Sequence, residues 1–98
     1  MQSLIGIDLG GTKIEIAVVD PEGITYKDRV QTPRHSYTAI LDAICALVDK
    51  TLVHQDLERP LAIGIGIPGC LDPATQLVRG SNTVVMNGKP LQQDLQQR

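Results

Sequence analysis

Between Leu9 and Lys13 the chain has only Gly10, Gly11 and Thr12 in which to reverse direction. On the near side, Leu4-Ile5-Gly6-Ile7-Asp8-Leu9 alternates. Ile5, Ile7 and Leu9 fall on one face and Gly6, Asp8 and Gly10 on the other, which is the period of a strand with a bare second face. On the far side, Lys13 to Asp20 resumes as a β-branched run through Ile14, Ile16, Val18 and Val19. Two strands joined this closely have to be antiparallel, because a parallel return needs a crossover of about a dozen residues or more. Pro21-Glu22-Gly23 supplies the next turn, with Pro presetting φ and Gly free to take positive φ. Ile24 to Gln31 then reads as a third, more polar strand at the exposed edge of a meander.

From Ser36 the period lengthens. Ile40, Ile44, Leu47, Val48 and Leu52 recur at helical spacing, widened by Leu41 and Cys45, with Asp42, Asp49 and Lys50 on the rest of the wheel. Ser36 is placed to cap the helix, and Pro33 lies ahead of it. Leu61-Ala62-Ile63-Gly64-Ile65-Gly66-Ile67 follows as a fourth strand, one face Leu and Ile, the other Ala and Gly. Such a bare face predicts something packed very close to the strand's back. Strand, helix and strand in succession favour a right-handed parallel crossover. Leu71 to Asn82 reads as an irregular loop with a short strand at Leu77 to Arg79, and the tail from Pro90 as the first turns of a helix around Leu91 and Leu95. No internal repeat, low-complexity linker or domain boundary interrupts this order.

Ninety-eight residues make about one small domain. The chain is 42% apolar yet has no Phe or Trp, and Tyr26 and Tyr37 are its only aromatics, so the core has to be aliphatic. That apolar content excludes a disordered chain. Nine basic against eleven acidic residues give a net charge of −2 with no basic stripe, which disfavours nucleic-acid binding through phosphate neutralisation. No apolar run approaches the roughly 20 residues of a membrane span, and no secretory signal opens the chain, so the expectation is a soluble cytoplasmic protein. Cys45 and Cys70 lack a CxxC or a His partner at ligand spacing and read as small buried hydrophobes.

The sharpest chemical signal is Asp8-Leu9-Gly10-Gly11-Thr12-Lys13. Two glycines between strands admit a close backbone approach and leave amide hydrogens free to meet phosphate oxygens. Thr12 adds a hydroxyl and Lys13 a cation, while Asp8 at the strand end can hold Mg²⁺ through water. These parts suit phosphoryl transfer, where charge placement does most of the work. A bare Gly-Gly turn would be only a tight hairpin; the whole hexad on an apolar strand favours the phosphate reading. It is not the GxxxxGK[ST] loop, whose spacing and flanking helix are missing.

Two further segments carry weaker signals. Gly64-Ile65-Gly66-Ile67-Pro68-Gly69 either admits a closely packed helix or brings Pro68-Gly69 to the carboxyl end of the sheet, where ligands gather. Asn82, in Ser81-Asn82-Thr83, can both donate and accept, which suits hydroxyls, although a loop Asn more often bonds its own backbone. Asn87-Gly88 reads as a turn. His35 and His54 flank the helix without carboxylate or Cys neighbours, Glu15 reads as solvated, and Ser36 is a cap before it is a nucleophile.

Ile5 to Lys13 resembles the first phosphate-binding segment of the ROK family (repressors, open reading frames and sugar kinases) in the actin-like ATPase superfamily. Gly64 to Gly69 is similar to that family's next segment, and Gly80-Ser81-Asn82 with Asn87 to Leu91 to its sugar loop; order and spacing match over nearly the whole chain. Within the family the likeness is nearest to bacterial fructokinases and N-acetylhexosamine kinases. The resemblance implies an α/β fold, the ribonuclease-H-like N-terminal lobe, with antiparallel strands one to three, a crossover helix and a parallel fourth strand. Residues 1–98 would be part of that lobe in a two-lobe kinase. By the same resemblance Asp8 would organise Mg²⁺, Gly10, Gly11 and Thr12 would face the phosphates of ATP, Lys13 would sit near them, and Gly69 and Asn82 would touch a hexose. The implied activity is ATP-dependent phosphorylation of fructose, glucose or an N-acetylhexosamine. The family's catalytic Asp, zinc motif and adenosine site would all come later than this region, leaving residues 1–98 inactive alone. The alternative is a sugar-sensing regulator without kinase activity. Family repressors carry a DNA-binding segment ahead of this motif, which here begins within five residues of Met1. Homo-oligomerisation is also expected. One departure is Val85, where the family usually has an aromatic residue.

Overall fold

The computed structural model describes residues 4–55, 63–67, 70–81 and 84–98. Its elements run β1 (Leu4–Leu9), β2 (Lys13–Asp20), β3 (Gly23–Gln31), α1 (Tyr37–His54), β4 (Ile63–Gly66), β5 (Cys70–Leu71), β6 (Val78–Arg79), a 3₁₀ turn at Val84–Met86, and α2 (Leu91–Gln96). The main sheet has the order β3-β2-β1-β4. β1 and β2 pair antiparallel from Leu4↔Val19 to Leu9↔Ile14, as the short glycine connection requires, and β3 continues antiparallel on β2. β4 lies parallel to β1, with Gly6 opposite Gly64 and Asp8 opposite Gly66.

The alternation read from the sequence becomes the two faces of this sheet. Ile5, Ile7 and Leu9 of β1 and Ile14, Ile16 and Val18 of β2 are buried in one cluster with Ile40, Leu41, Ile44, Leu47 and Val48 of α1. Fully burying an aliphatic side chain of this kind contributes about 1.5–3 kcal/mol, so the helix-covered face holds the fold. Ser36 caps α1, its Oγ accepting from the Ala39 amide at 3.2 Å. Lys50 of α1 pairs with Asp28 of β3 at 2.9 Å and holds that carboxyl below its usual range; the pair is exposed and adds little to stability. His54, at the far end of α1, stacks on Tyr26.

The C-terminal segments are tied back onto this layer. Val78 donates to Lys89 O at 2.9 Å and Gly88 to Val78 O at 2.7 Å, while Val78, Met86 and Leu91 enter the core. Tyr37 Oη donates to Asp94 Oδ2 at 2.6 Å, and Arg98 pairs with Asp42, fixing α2 against α1. Val85 is half-buried against the core. No helix among the described residues is long and apolar enough to cross a membrane.

Some sequence expectations are corrected. Gly6 and Gly64 have nothing within 4 Å of where a Cβ would stand, so among the described residues the back of the fourth strand is open rather than closely covered. The expected short strand at Leu77 to Arg79 is present as Val78–Arg79, but it pairs antiparallel with Cys70–Leu71, a strand that the irregular-loop reading did not include. Cys45 is half-buried rather than buried. Leu61 and Ala62, the expected start of the fourth strand, lie outside the described residues.

Candidate functional site

The site begins where β1 runs out. Gly10 N donates to Lys13 O at 3.0 Å and closes the turn, and a Cβ on Gly10 would stand 2.9 Å from that same carbonyl oxygen. No side chain fits there without moving backbone, which explains the first glycine physically. Thr32, just beyond β3, then locks the turn from the side. Its N–H donates to Thr12 O at 2.9 Å and its Oγ1 to Gly10 O at 2.9 Å. The carbonyls of Gly10, Thr12 and Lys13 are therefore all engaged by donors from the protein. The amides of Gly11 and Thr12 donate to no acceptor among the described residues. Two neighbouring amides without acceptors, beside three engaged carbonyls, suit an anion-binding nest.

Beside these amides is a cavity of about 590 Å³, walled by Gly11 and Thr12 on one side and by residues 31–36 on the other. Asp8 and Lys13 are not in that wall. They stand on the adjoining open face of the sheet, where Asp8 has Glu15 of β2 on one side and Gly66 of β4 on the other. Asp8 is exposed and its carboxylate has no hydrogen bond or ion pair with any described residue. Gly66 leaves it uncrowded, since a Cβ there would lie 4.0 Å from Asp8 Oδ1. Lys13 Nζ instead meets Glu15 Oε1 at 2.9 Å and holds the Glu15 carboxyl below its usual range, so Glu15 is paired rather than simply solvated.

An exposed carboxylate on a strand end is a hard oxygen donor suited to Mg²⁺. Among the described residues no three His, Cys, Asp or Glu side chains lie together. A lone carboxylate fits magnesium, which keeps several waters and takes one or two carboxylates along with substrate phosphate, better than a metal that needs an all-protein cage. Gly69 and Asn82 lie outside the described residues. Asn87 braces Ser81, its Oδ1 accepting from Ser81 N at 2.9 Å while its Nδ2 donates to Ser81 O at 3.1 Å.

Thr32 and Asn87 take bracing positions that the sequence pattern does not announce. A signal existed for Lys13 and Glu15, because residues two apart on a strand share a face. A larger recess of about 650 Å³ between α1, α2 and β4 is lined chiefly by Ile44, Val48, Ile65, Ile67, Leu91 and Leu95. Asp49, Gln92, Gln96 and Arg98 stand at the same recess, whose apolar lining extends the core.

Substitutions at two glycines separate their roles. Gly10→Ala is expected to lower the unfolding free energy by about 1–3 kcal/mol through the backbone collision. Gly64→Ala, with open space around it, should stay within about 0.5 kcal/mol. Urea denaturation of both variants of this chain checks the contrast, and equal losses would contradict it.

The sequence model of the ROK family matches residues 4–98. An N-acetyl-D-glucosamine kinase of Escherichia coli O7:K1 is 42% identical over 94 residues, which is 95% of this chain and 30% of that protein. A ROK family glucokinase from Streptomyces griseus, solved with glucose and AMPPNP, superposes with a TM-score of 0.81 at 37% identity, covering 98% of this chain and 30% of that one. The ROK hexokinase of Thermus thermophilus superposes with a TM-score of 0.80 at 28% identity, over 98% of this chain and 32% of its own. The chain thus spans about a third of the length of these proteins.

Proposed function

The chain belongs to the ROK family, and from that premise we propose that residues 1–98 form part of the N-terminal lobe of an ATP-dependent hexose kinase, the part that receives the phosphates. The observation that carries this reading is the pair of amides at Gly11 and Thr12 left without an acceptor among the described residues, in a turn whose Gly10, Thr12 and Lys13 carbonyls are engaged. The two amides and the Thr12 hydroxyl bind phosphate oxygens, and the braced turn holds them without reorganisation when charge shifts during transfer. Asp8 would hold Mg²⁺, which when bound would supply positive charge against the phosphates. Lys13, paired with Glu15, adds positive charge near that face. Gly69 and Asn82 touch the hexose. The proton of the attacking hydroxyl passes to an Asp that residues 1–98 do not supply.

The test uses the full-length protein with ATP, magnesium and a panel of fructose, glucose and N-acetylhexosamines, following ADP release. Turnover of at least one sugar is expected, with residues 1–98 alone inactive for want of the base and the rest of the site. Sugar binding without any ATP consumption by the full-length protein would replace this reading with that of a sugar sensor.

A further inference from the structure

We propose that Arg34 is a phosphate-binding residue of this site, forming with Gly11 and Thr12 a clamp for a chain of phosphoryl groups. The proposal rests on the phosphate reading above and adds to it the cation that the turn itself does not bring into the cavity. Lys13, the cation adjacent in sequence, is held by Glu15 on the open face of the sheet and does not line the cavity. Arg34 does line it, together with Gly11 and Thr12.

Arg34 is exposed, and its guanidinium forms no ion pair or hydrogen bond with any described residue. Lys13, Lys50, Arg79 and Arg98 each have a carboxylate partner, and Lys27, Arg29 and Lys89, which have none among the described residues, do not line the cavity. No Asp or Glu stands in the cavity wall, which holds Gln31, Thr32 and His35 alongside Arg34. A recess with a permanent cation, unengaged amides and no carboxylate selects anions by charge. The guanidinium fork suits phosphate in particular, since it can donate two parallel hydrogen bonds to one phosphoryl group. The cavity volume, about 590 Å³, falls in the range of small-molecule sites.

The mounting of Arg34 argues in the same direction. Thr32 is bonded twice to the glycine turn, Arg34 N donates to Thr32 O at 2.9 Å, and Ser36 N donates to Pro33 O at 3.2 Å. With Pro33 fixing φ between them, the backbone that carries Arg34 is anchored to the same turn that presents the amides. The two walls of the cavity are thus one mechanical unit.

The experiment titrates this 98-residue chain with inorganic tripolyphosphate, and in parallel with ATP, reading backbone amide shifts of Gly11 and Thr12 by NMR. Wild type should show both amides moving. Arg34→Ala should weaken binding about tenfold or more, and Arg34→Lys should fall between, keeping the charge but losing the fork. Lys50→Ala, which removes the same charge far from the cavity, should stay within about twofold. Amides outside the cavity report that each variant is folded. Arg34-dependent binding of both probes assigns the clamp to a phosphoryl chain of either source; dependence seen with tripolyphosphate alone assigns it to the inorganic polymer. Wild-type affinity in Arg34→Ala, with Gly11 and Thr12 still shifting, would overturn the role of Arg34 and leave the phosphate reading standing. Unmoved Gly11 and Thr12 amides in wild type would overturn both.

Discussion

Ile40→Ala is expected to cost about 2–5 kcal/mol of unfolding free energy. Ile40 is 0% exposed in α1 and belongs to the cluster that joins the helix to Ile14 and Ile16 of the sheet. Domains of this size have about 5–15 kcal/mol in total, so the loss is a large share of it. The packing pushes the cost towards the upper end. The aliphatic core has no Phe or Trp whose large ring could shift to fill the void, and Ile40 faces the buried Ile14 and Ile16 of the sheet within one cluster. Val53→Ala is the control, since Val53 is on the same helix but 81% exposed and should change stability by less than about 0.5 kcal/mol. Urea denaturation followed by circular dichroism measures both. A loss under about 1 kcal/mol at Ile40 would mean that α1 is not what covers this sheet face.

Much of this architecture is legible because strand and helix periods are local properties. The alternation of Ile5, Ile7 and Leu9 with Gly6 and Asp8 assigns faces without knowledge of the rest, and the same face assignments hold in the folded sheet. The short Gly10-Gly11-Thr12 link leaves only an antiparallel pairing, and the helix between strands three and four leads to a parallel one. The contacts that turn a glycine bend into a site are of another kind. Thr32 meets Gly10 across a separation of 22 residues, and nothing in the pattern around Thr32 announces it. Arg34 sits in a connection without period, so its place beside Gly11 emerges only once β3 and β1 are laid into one sheet. The open backs of Gly6 and Gly64 show the opposite limit. Small residues state that close approach is possible, not what approaches.

The full-length protein carrying Asp8→Asn is expected to keep its fold and lose about 100-fold or more of its turnover, a size typical for removing one preorganised electrostatic group from a phosphoryl-transfer site. Asp8 is exposed and bonds to no described residue, so the exchange of one carboxylate oxygen for an amide nitrogen removes charge without removing a structural contact. The neighbouring carboxylate cannot substitute, because Glu15 is engaged by Lys13 at 2.9 Å. The loss should fall on kcat more than on the KM for sugar, and part of it should return as magnesium is raised, since a weakened ligand set is filled by mass action. Thermal unfolding of the variant, matched to wild type, separates this from mere destabilisation. Turnover within about threefold of wild type would show that Asp8 serves only to end a strand, and would remove magnesium from this face of the sheet.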